Sequence, residues 1–271
     1  MATKIWTGAT DGDYDTAANW SPTGVPTTTD DVYFTKDYSV DLTAGLDQSG
    51  TTIGSITIDG FTGKIGSLAL GYLQVEVTDD AVINTGGISF LDFGGSSVDL
   101  DIRDSTSGGT TRGLYILGSS LGVVSIQNGD VGIANQAGEL STVATLRLYG
   151  GAVNVGAGAT LTTLDVYGGT ASINTSVTTV NNYSGTVVTE KATAVTTLNQ
   201  FGGTVNHNAT GTIATAIVQG GSLDFTGSGI ARTLTTLTLK VGGTIVYDPS
   251  VLTITTQNES DRPVRLTAEN A

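Results

Sequence analysis

Between Leu146 and Thr244, apolar and polar residues alternate in short runs that recur at fixed offsets from a glycine pair. The runs read Leu-Arg-Leu-Tyr149-Gly-Gly, Leu-Asp-Val-Tyr167-Gly-Gly, Val-Asn-Asn-Tyr183-Ser-Gly, Leu-Asn-Gln-Phe201-Gly-Gly and Ala-Ile-Val-Gln219-Gly-Gly. Their last glycines stand at 151, 169, 185, 203 and 221, in steps of 18, 16, 18 and 18, and a step of 22 leads to Gly243. Two residues beyond each glycine stand Val153, Ala171, Val187, Val205, Leu223 and Ile245. Four beyond stand Val155, Ile173, Thr189, His207, Phe225 and Tyr247. Mostly polar residues lie between them: Asn154, Ser172, Val188, Asn206, Asp224 and Val246. Apolar, polar, apolar is the period of a strand with one buried face. A second strand precedes the glycines, with Leu146 and Leu148, Leu164 and Val166, Val180 and Leu198 as its inward set.

One such turn cannot bury its apolar side alone. Stacked turns can, because each strand then bonds to its equivalent one turn away, at about 4.8 Å. The spacing therefore predicts an all-β chain, a parallel β-helix (β-solenoid), right-handed by the usual handedness of parallel crossovers. The glycine pair supplies a corner where backbones approach closely. Just before it, Tyr149, Tyr167, Tyr183 and Phe201 are placed to stack as an aromatic ladder.

Residues 46–140 carry a looser version of the pattern. Ile53, Ile56, Ile58, Leu68, Leu70, Val75 and Val77 read as early coils. In the run from Ser97 to Arg103, Val98, Leu100 and Ile102 alternate with Asp99, Asp101 and Arg103. Residues 108–113 read as a loop leaving the coil. Residues 1–45 do not follow the repeat but hold both tryptophans, Trp6 and Trp20, and are expected to cap the raw end of the stack. Three segments result: a cap or attachment segment (1–45), the solenoid (46–247), and a C-terminal cap or arm (248–271).

Composition agrees with short strands and tight turns: 38 glycines in 271 residues, and 13% charged residues. The net charge of −14 argues against nucleic acid and anionic membranes as partners. With no cysteine, disulfides and thiolate metal sites are excluded. The first residues lack the apolar run of a secretion signal, and no apolar run is long enough to span a bilayer as a helix, so synthesis in a cytoplasm is expected.

A Trp6-Thr-Gly, a loop ending Ala-Asn19-Trp20-Ser, a Val25-Pro26 and an Asp30-Asp31-Val-Tyr-Phe34 strand resemble the opening of a group of β-helical surface proteins. These occur in tailed-phage virions and on bacterial cells. The Tyr-Gly-Gly-Thr and Thr-Thr-Leu repeats, and the late segment from Ala231 to Thr244, are similar to those of tailed-phage virion proteins. The resemblance runs the length of the chain and implies a virion structural protein. A capsid decoration or cement protein comes first, with the major capsid protein or other virion proteins as partners and a homotrimer as assembly. A tail spike, fibre or bacterial adhesin binding host glycan is the alternative, and a polysaccharide lyase or hydrolase a lesser one.

Candidate chemistry is sparse. Asp11, Asp13 and Asp15 have the alternate spacing of a Ca²⁺ loop, but an EF-hand would want Gly at 16 and Glu at 22, where Thr16 and Pro22 stand. A solvated acidic loop is the plainer reading, and no cofactor is expected. His207, the only histidine, falls in an inward column and reads as a core residue whose replacement by leucine leaves the fold nearly intact. Asp99, Asp101 and Asp104, with Arg103 or Arg112, form the densest carboxylate group on the coils, and solvation accounts for it. Asn154 and Asn206 read as members of side-chain ladders in turns. The chain is expected not to be an enzyme.

Overall fold

The computed structural model describes residues 2–95, 97–105, 112–227, 229–259 and 266–268. Among the described residues the regular elements are strands, apart from one short 3-10 turn at Ala17–Asn19, and they form parallel ladders between successive windings: the chain is a β-solenoid. It divides into two compact units, residues 1–144 and 145–271.

The first unit starts with its cap. Strand Thr3–Trp6 takes Trp20–Ser21 antiparallel on one side, with Trp6 opposite Trp20. On its other side it runs parallel to Asp31–Thr35, which registers on Ser55–Phe61. The stack thus begins inside the first 45 residues. Trp6, Tyr14, Trp20, Phe34 and Phe61 are all buried, and their rings meet mostly edge-on. Trp6 and Trp20 lie 5.2 Å apart, Tyr14 and Trp20 4.7 Å, Phe34 and Phe61 5.4 Å. Burial leaves the indole N–H groups in need of acceptors. Trp6 donates to the Val40 carbonyl at 3.0 Å, and Trp20 to that of Tyr14 at 2.7 Å.

Asn19 ties the cap loop together from a fully buried position. Its side-chain oxygen accepts from the N–H groups of Thr10 and Asp11, and its amide nitrogen donates to the Asp11 carboxylate at 2.6 Å and the Asp13 carbonyl at 2.8 Å. Leucine has the volume but none of these partners. Asn19→Leu is therefore expected to cost about 2–4 kcal/mol, as orphaned buried groups do, read as a lower urea midpoint. An unchanged midpoint would mean that the ring cluster alone holds the loop.

In the first sheet of this unit, successive turns pair Val32 with Ile56, Ile56 with Ala81, Ala81 with Leu100 and Leu100 with Val124, separations of 24, 25, 19 and 24 residues. Register shifts at Gln48/Thr52, Asp59/Phe61 and Ile83/Asn84 absorb the unequal lengths. Val98, Leu100 and Ile102 are buried. Leu68 and Leu70 are not part of the core, contrary to their alternating pattern. Gly66 and Gly71, both at positive φ, bracket a turn closed by Ser67 and Gly71, and the two leucines stand exposed on it. Of the loop expected at 108–113, residues 108–111 lie outside the described residues.

The second unit is regular. In one sheet, Val153, Ala171, Val187, Val205, Leu223 and Ile245 lie one over the next, each paired in parallel with its neighbour. In the other, Leu161, Val177, Val195, Ile213, Leu234 and Ile254 do the same. The stack continues beyond residue 247. Leu252–Glu259 pairs with Arg232–Leu239, and Leu266–Ala268 with the strand Gly243–Tyr247. The charged run expected there as a cap or arm falls mainly on 260–265, outside the described residues.

The glycine corners are set by proximity. A Cβ on Gly168, Gly202 or Gly220 would stand 2.4–2.5 Å from a backbone oxygen of the turn before. Gly169, Gly203 and Gly221 also sit at φ +72°, +64° and +72°. Two buried amides, Asn182 and Gln200, occupy the column otherwise filled by Val166 and Val218. They are there because corner carbonyls point inward. Asn182 donates to the carbonyls of Gly185 and Thr204, and Gln200 to those of Gly202 and Gly203.

Candidate functional site

The second unit presents an outward sheet face made of three columns. Thr163, Thr179, Thr197, Thr215 and Thr236 form the first, in register. Asp165, Asn181, Asn199, Ile217 and Thr238 form the second, in which Asn199 donates to Asn181 and Asn181 to Asp165, both at 2.8 Å. The third is aromatic. Tyr149, Tyr167, Tyr183 and Phe201 stack with centroids 4.9, 4.6 and 5.0 Å apart and planes within 7° of parallel. Each ring follows the last residue of an alternating strand, so all four emerge on the same side. Each is 38–43% exposed, which leaves edges and hydroxyls in solvent while the faces cover one another.

Charge is segregated between the units. Residues 1–144 hold 5 Lys and Arg against 18 Asp and Glu, a net −13. Residues 145–271 hold 6 Lys and Arg against 7 Asp and Glu, a net −1. On the three-column face, Asp165 lies 3.8 Å from Arg147.

The inward columns hold no exposed chemistry. Val153, Val155, Ile173, Val205, Leu223 and Phe225 are buried. So is His207, packed edge-on to Phe225 at 5.4 Å. Its Nε2 faces the Gly211 carbonyl at 2.8 Å and therefore carries the proton, so Nδ1 accepts from the Thr189 hydroxyl at 2.7 Å. Burial, with a smaller push from the Arg232 charge, drives its pKa down from 6.5 to about 4. Leucine at 207 would orphan both the Thr189 hydroxyl and the Gly211 carbonyl, so these bonds argue for a larger cost than the inward column alone implies. His207→Leu should cost about 1–3 kcal/mol at neutral pH.

The sign of its pH dependence follows. Folded His207 binds a proton less readily than unfolded His207, so its contribution is complete above pH 6.5 and is lost as pH falls through 4. The wild type should lose up to about 3 kcal/mol on this account. Urea titrations at stepped pH should show this slope in the wild type and its absence in His207→Leu.

The carboxylate candidates are drawn into local structure. Asp99 accepts from the Val123 N–H at 2.7 Å, Asp101 pairs with Arg103 at 3.0 Å, and Asp104 accepts from Asn128 at 3.3 Å. Arg112 pairs instead with Asp130 at 2.5 Å. Asp11 and Asp13 accept from backbone N–H groups two residues on, and Asp15 accepts from the Gln48 amide. The Asn19 amide, then the Asp13 N–H, hold the Asp11 carboxyl below its ordinary range. Among the described residues, no group of three or more His, Asp or Glu side chains is placed to hold a metal ion. Asn154 and Asn206 lie mid-strand and not in turns, with Ser172 and Val188 between them in the same column, so they cannot stack on each other. The asparagine ladder that exists is Asn181–Asn199, on the other sheet.

Two shallow clefts flank the exposed turn of the first unit. One, of about 380 Å³, runs from Thr43–Asp47 to Leu70–Gln74. The other, of about 330 Å³, is lined by Lys64, Leu68, Ile88, Phe90 and Tyr115 among others. The Tyr72 hydroxyl, beside Phe90, donates to the Glu139 carboxylate.

These features define a capped parallel β-solenoid whose most regular exposed surface is an aromatic and hydroxyl face with few charges: Arg147, Asp165 and Lys240. No protein-family model, curated protein or solved structure matches the chain.

Proposed function

We propose that the chain is a non-enzymatic structural protein of a tailed-phage virion, a capsid decoration or cement protein that stabilises the shell through subunit contacts. One combination carries the reading. The Trp6-Thr-Gly and Asn19-Trp20 segments close a buried aromatic cap, and the same chain carries Tyr149-Gly-Gly-Ala, Tyr167-Gly-Gly-Thr and Tyr183-Ser-Gly-Thr turns in register. That pairing of cap and coil is the one that resembles virion proteins. A decoration protein acts by burying surface against its neighbours and needs no reactive constellation. The carboxylates of the coils, held by backbone and side-chain partners, accord with such a role. Its partners would be the major capsid protein or other virion proteins, with symmetric shell sites favouring a homotrimer.

The exposed aromatic row favours a second reading, a spike or adhesin that binds host glycan. Its weakness is that the inner rings stack on one another, whereas sugars pack on ring faces. Quantitative mass spectrometry of the virion separates the readings. A decoration protein is expected at on the order of hundreds of copies per particle, as symmetric shell sites require. A few copies would point to a spike, and absence from the particle would end the virion reading.

A further inference from the structure

We infer that the outward Thr/Asx/Tyr face of the second unit is a self-association surface, where a second copy of this chain docks. Charge is the first reason. A chain of net −14 repels its own copies at long range. Copies approach with the least penalty through the part of the chain with the least net charge, and residues 145–271 sum to −1 against −13 for residues 1–144. On the face itself, the carboxylate of Asp165 has Arg147 at 3.8 Å, and Lys240, at the end of the ring column, reaches the Gln219 side-chain oxygen at 3.4 Å.

The aromatic row is the second reason. Four rings about 40% exposed, at roughly 200 Å² per aromatic side chain, leave on the order of 300 Å² of continuous aromatic edge in water. Patches of that size on a monomer are often functional. Because the ring faces are already stacked, sugar rings have no platform between the turns. Edges and hydroxyls remain, and these pack into other side chains.

The third reason is the period. Each column repeats once per turn, at about 4.8 Å. A second copy carries the same repeat and can match it turn for turn, whether in a closed pair or around the trimer proposed above. Six strands across six residues span roughly 24 by 20 Å, near 500 Å² in projection. Side-chain relief brings that toward the ~800 Å² per partner of a standard interface.

Light scattering and sedimentation of the intact chain from about 1 to 100 µM, the range of modest self-affinity, test the assignment. The wild type should weigh two chains or a higher multiple, and more salt should tighten association by screening the acidic remainder. Thr197→Lys should weaken association at least tenfold, and Thr196→Glu, at an exposed position of the same turn, serves if the first variant fails to fold. Thr204→Lys, on the opposite sheet, should leave the mass unchanged. Circular dichroism confirms that each variant is folded. A monomeric wild type throughout this range overturns the proposal, including one retained on a glycan array. So does a folded Thr197→Lys or Thr196→Glu with undiminished mass.

Discussion

Gly203→Ala is expected to lower the unfolding free energy by about 2–4 kcal/mol, from two separable costs. The residue sits at φ +64°, where an L side chain costs roughly 1 kcal/mol. The new Cβ would also stand 2.1 Å from the Gly185 carbonyl oxygen. That oxygen accepts from the Thr204 N–H at 3.0 Å. The turns must part to admit the methyl, which adds an overpacking cost of about 1–3 kcal/mol. Gly138→Ala isolates the first cost, because Gly138 lies at φ +85° with open space around its Cβ direction. It should lose only about 1 kcal/mol. Gly50→Ala, in open space without positive φ, should be nearly silent. Urea midpoints rank the three, and equal losses at 138 and 203 would mean that successive turns do not approach so closely.

Val205→Asp is the second large effect. Val205 is 1% exposed and lies between Val187 and Leu223 of the adjoining turns. The substitution gives up about 1.5–3 kcal/mol of apolar burial and drives a carboxyl into a site without a partner, which either desolvates a charge or forces protonation. The total should be at least ~4 kcal/mol, among the largest single-residue effects, seen as loss of soluble, folded protein. Val188→Asp makes the same chemical change on the half-exposed opposite face of the neighbouring strand. It should be tolerated, because side chains one residue apart on a strand point to opposite sides. Equal behaviour of the two variants would contradict the burial of the Val153-to-Ile245 column.

The second unit was more legible than the first because its repeat is carried by every turn. Steps of 16 to 22 residues between glycines reappear as the parallel registers of one sheet, from Ala152 over Thr170 to Gly221 over Gly243. In the first unit, turns of 19 to 25 residues with three register shifts give no constant offset to read. There, Leu68 and Leu70 mimic a strand by alternation, while the flanking glycines make a turn. Asn19 is one polar letter in a polar loop, and nothing local reveals that four groups from Thr10 to Asp13 converge on it.

The sequence by itself determined that this chain is a stack of short strands, which residues superpose, and that Tyr149, Tyr167, Tyr183 and Phe201 fall in one row. Periodicity suffices for that, since each turn must bury the same positions against the next. Only the tertiary structure decided where polar groups point. Asn182 and Gln200 lie inside because corner carbonyls need donors there, and Asn181 and Asn199 lie outside because the neighbouring positions bury Val180 and Leu198. An amide N–H can be satisfied by water or by a buried carbonyl, so its letter alone does not choose between them.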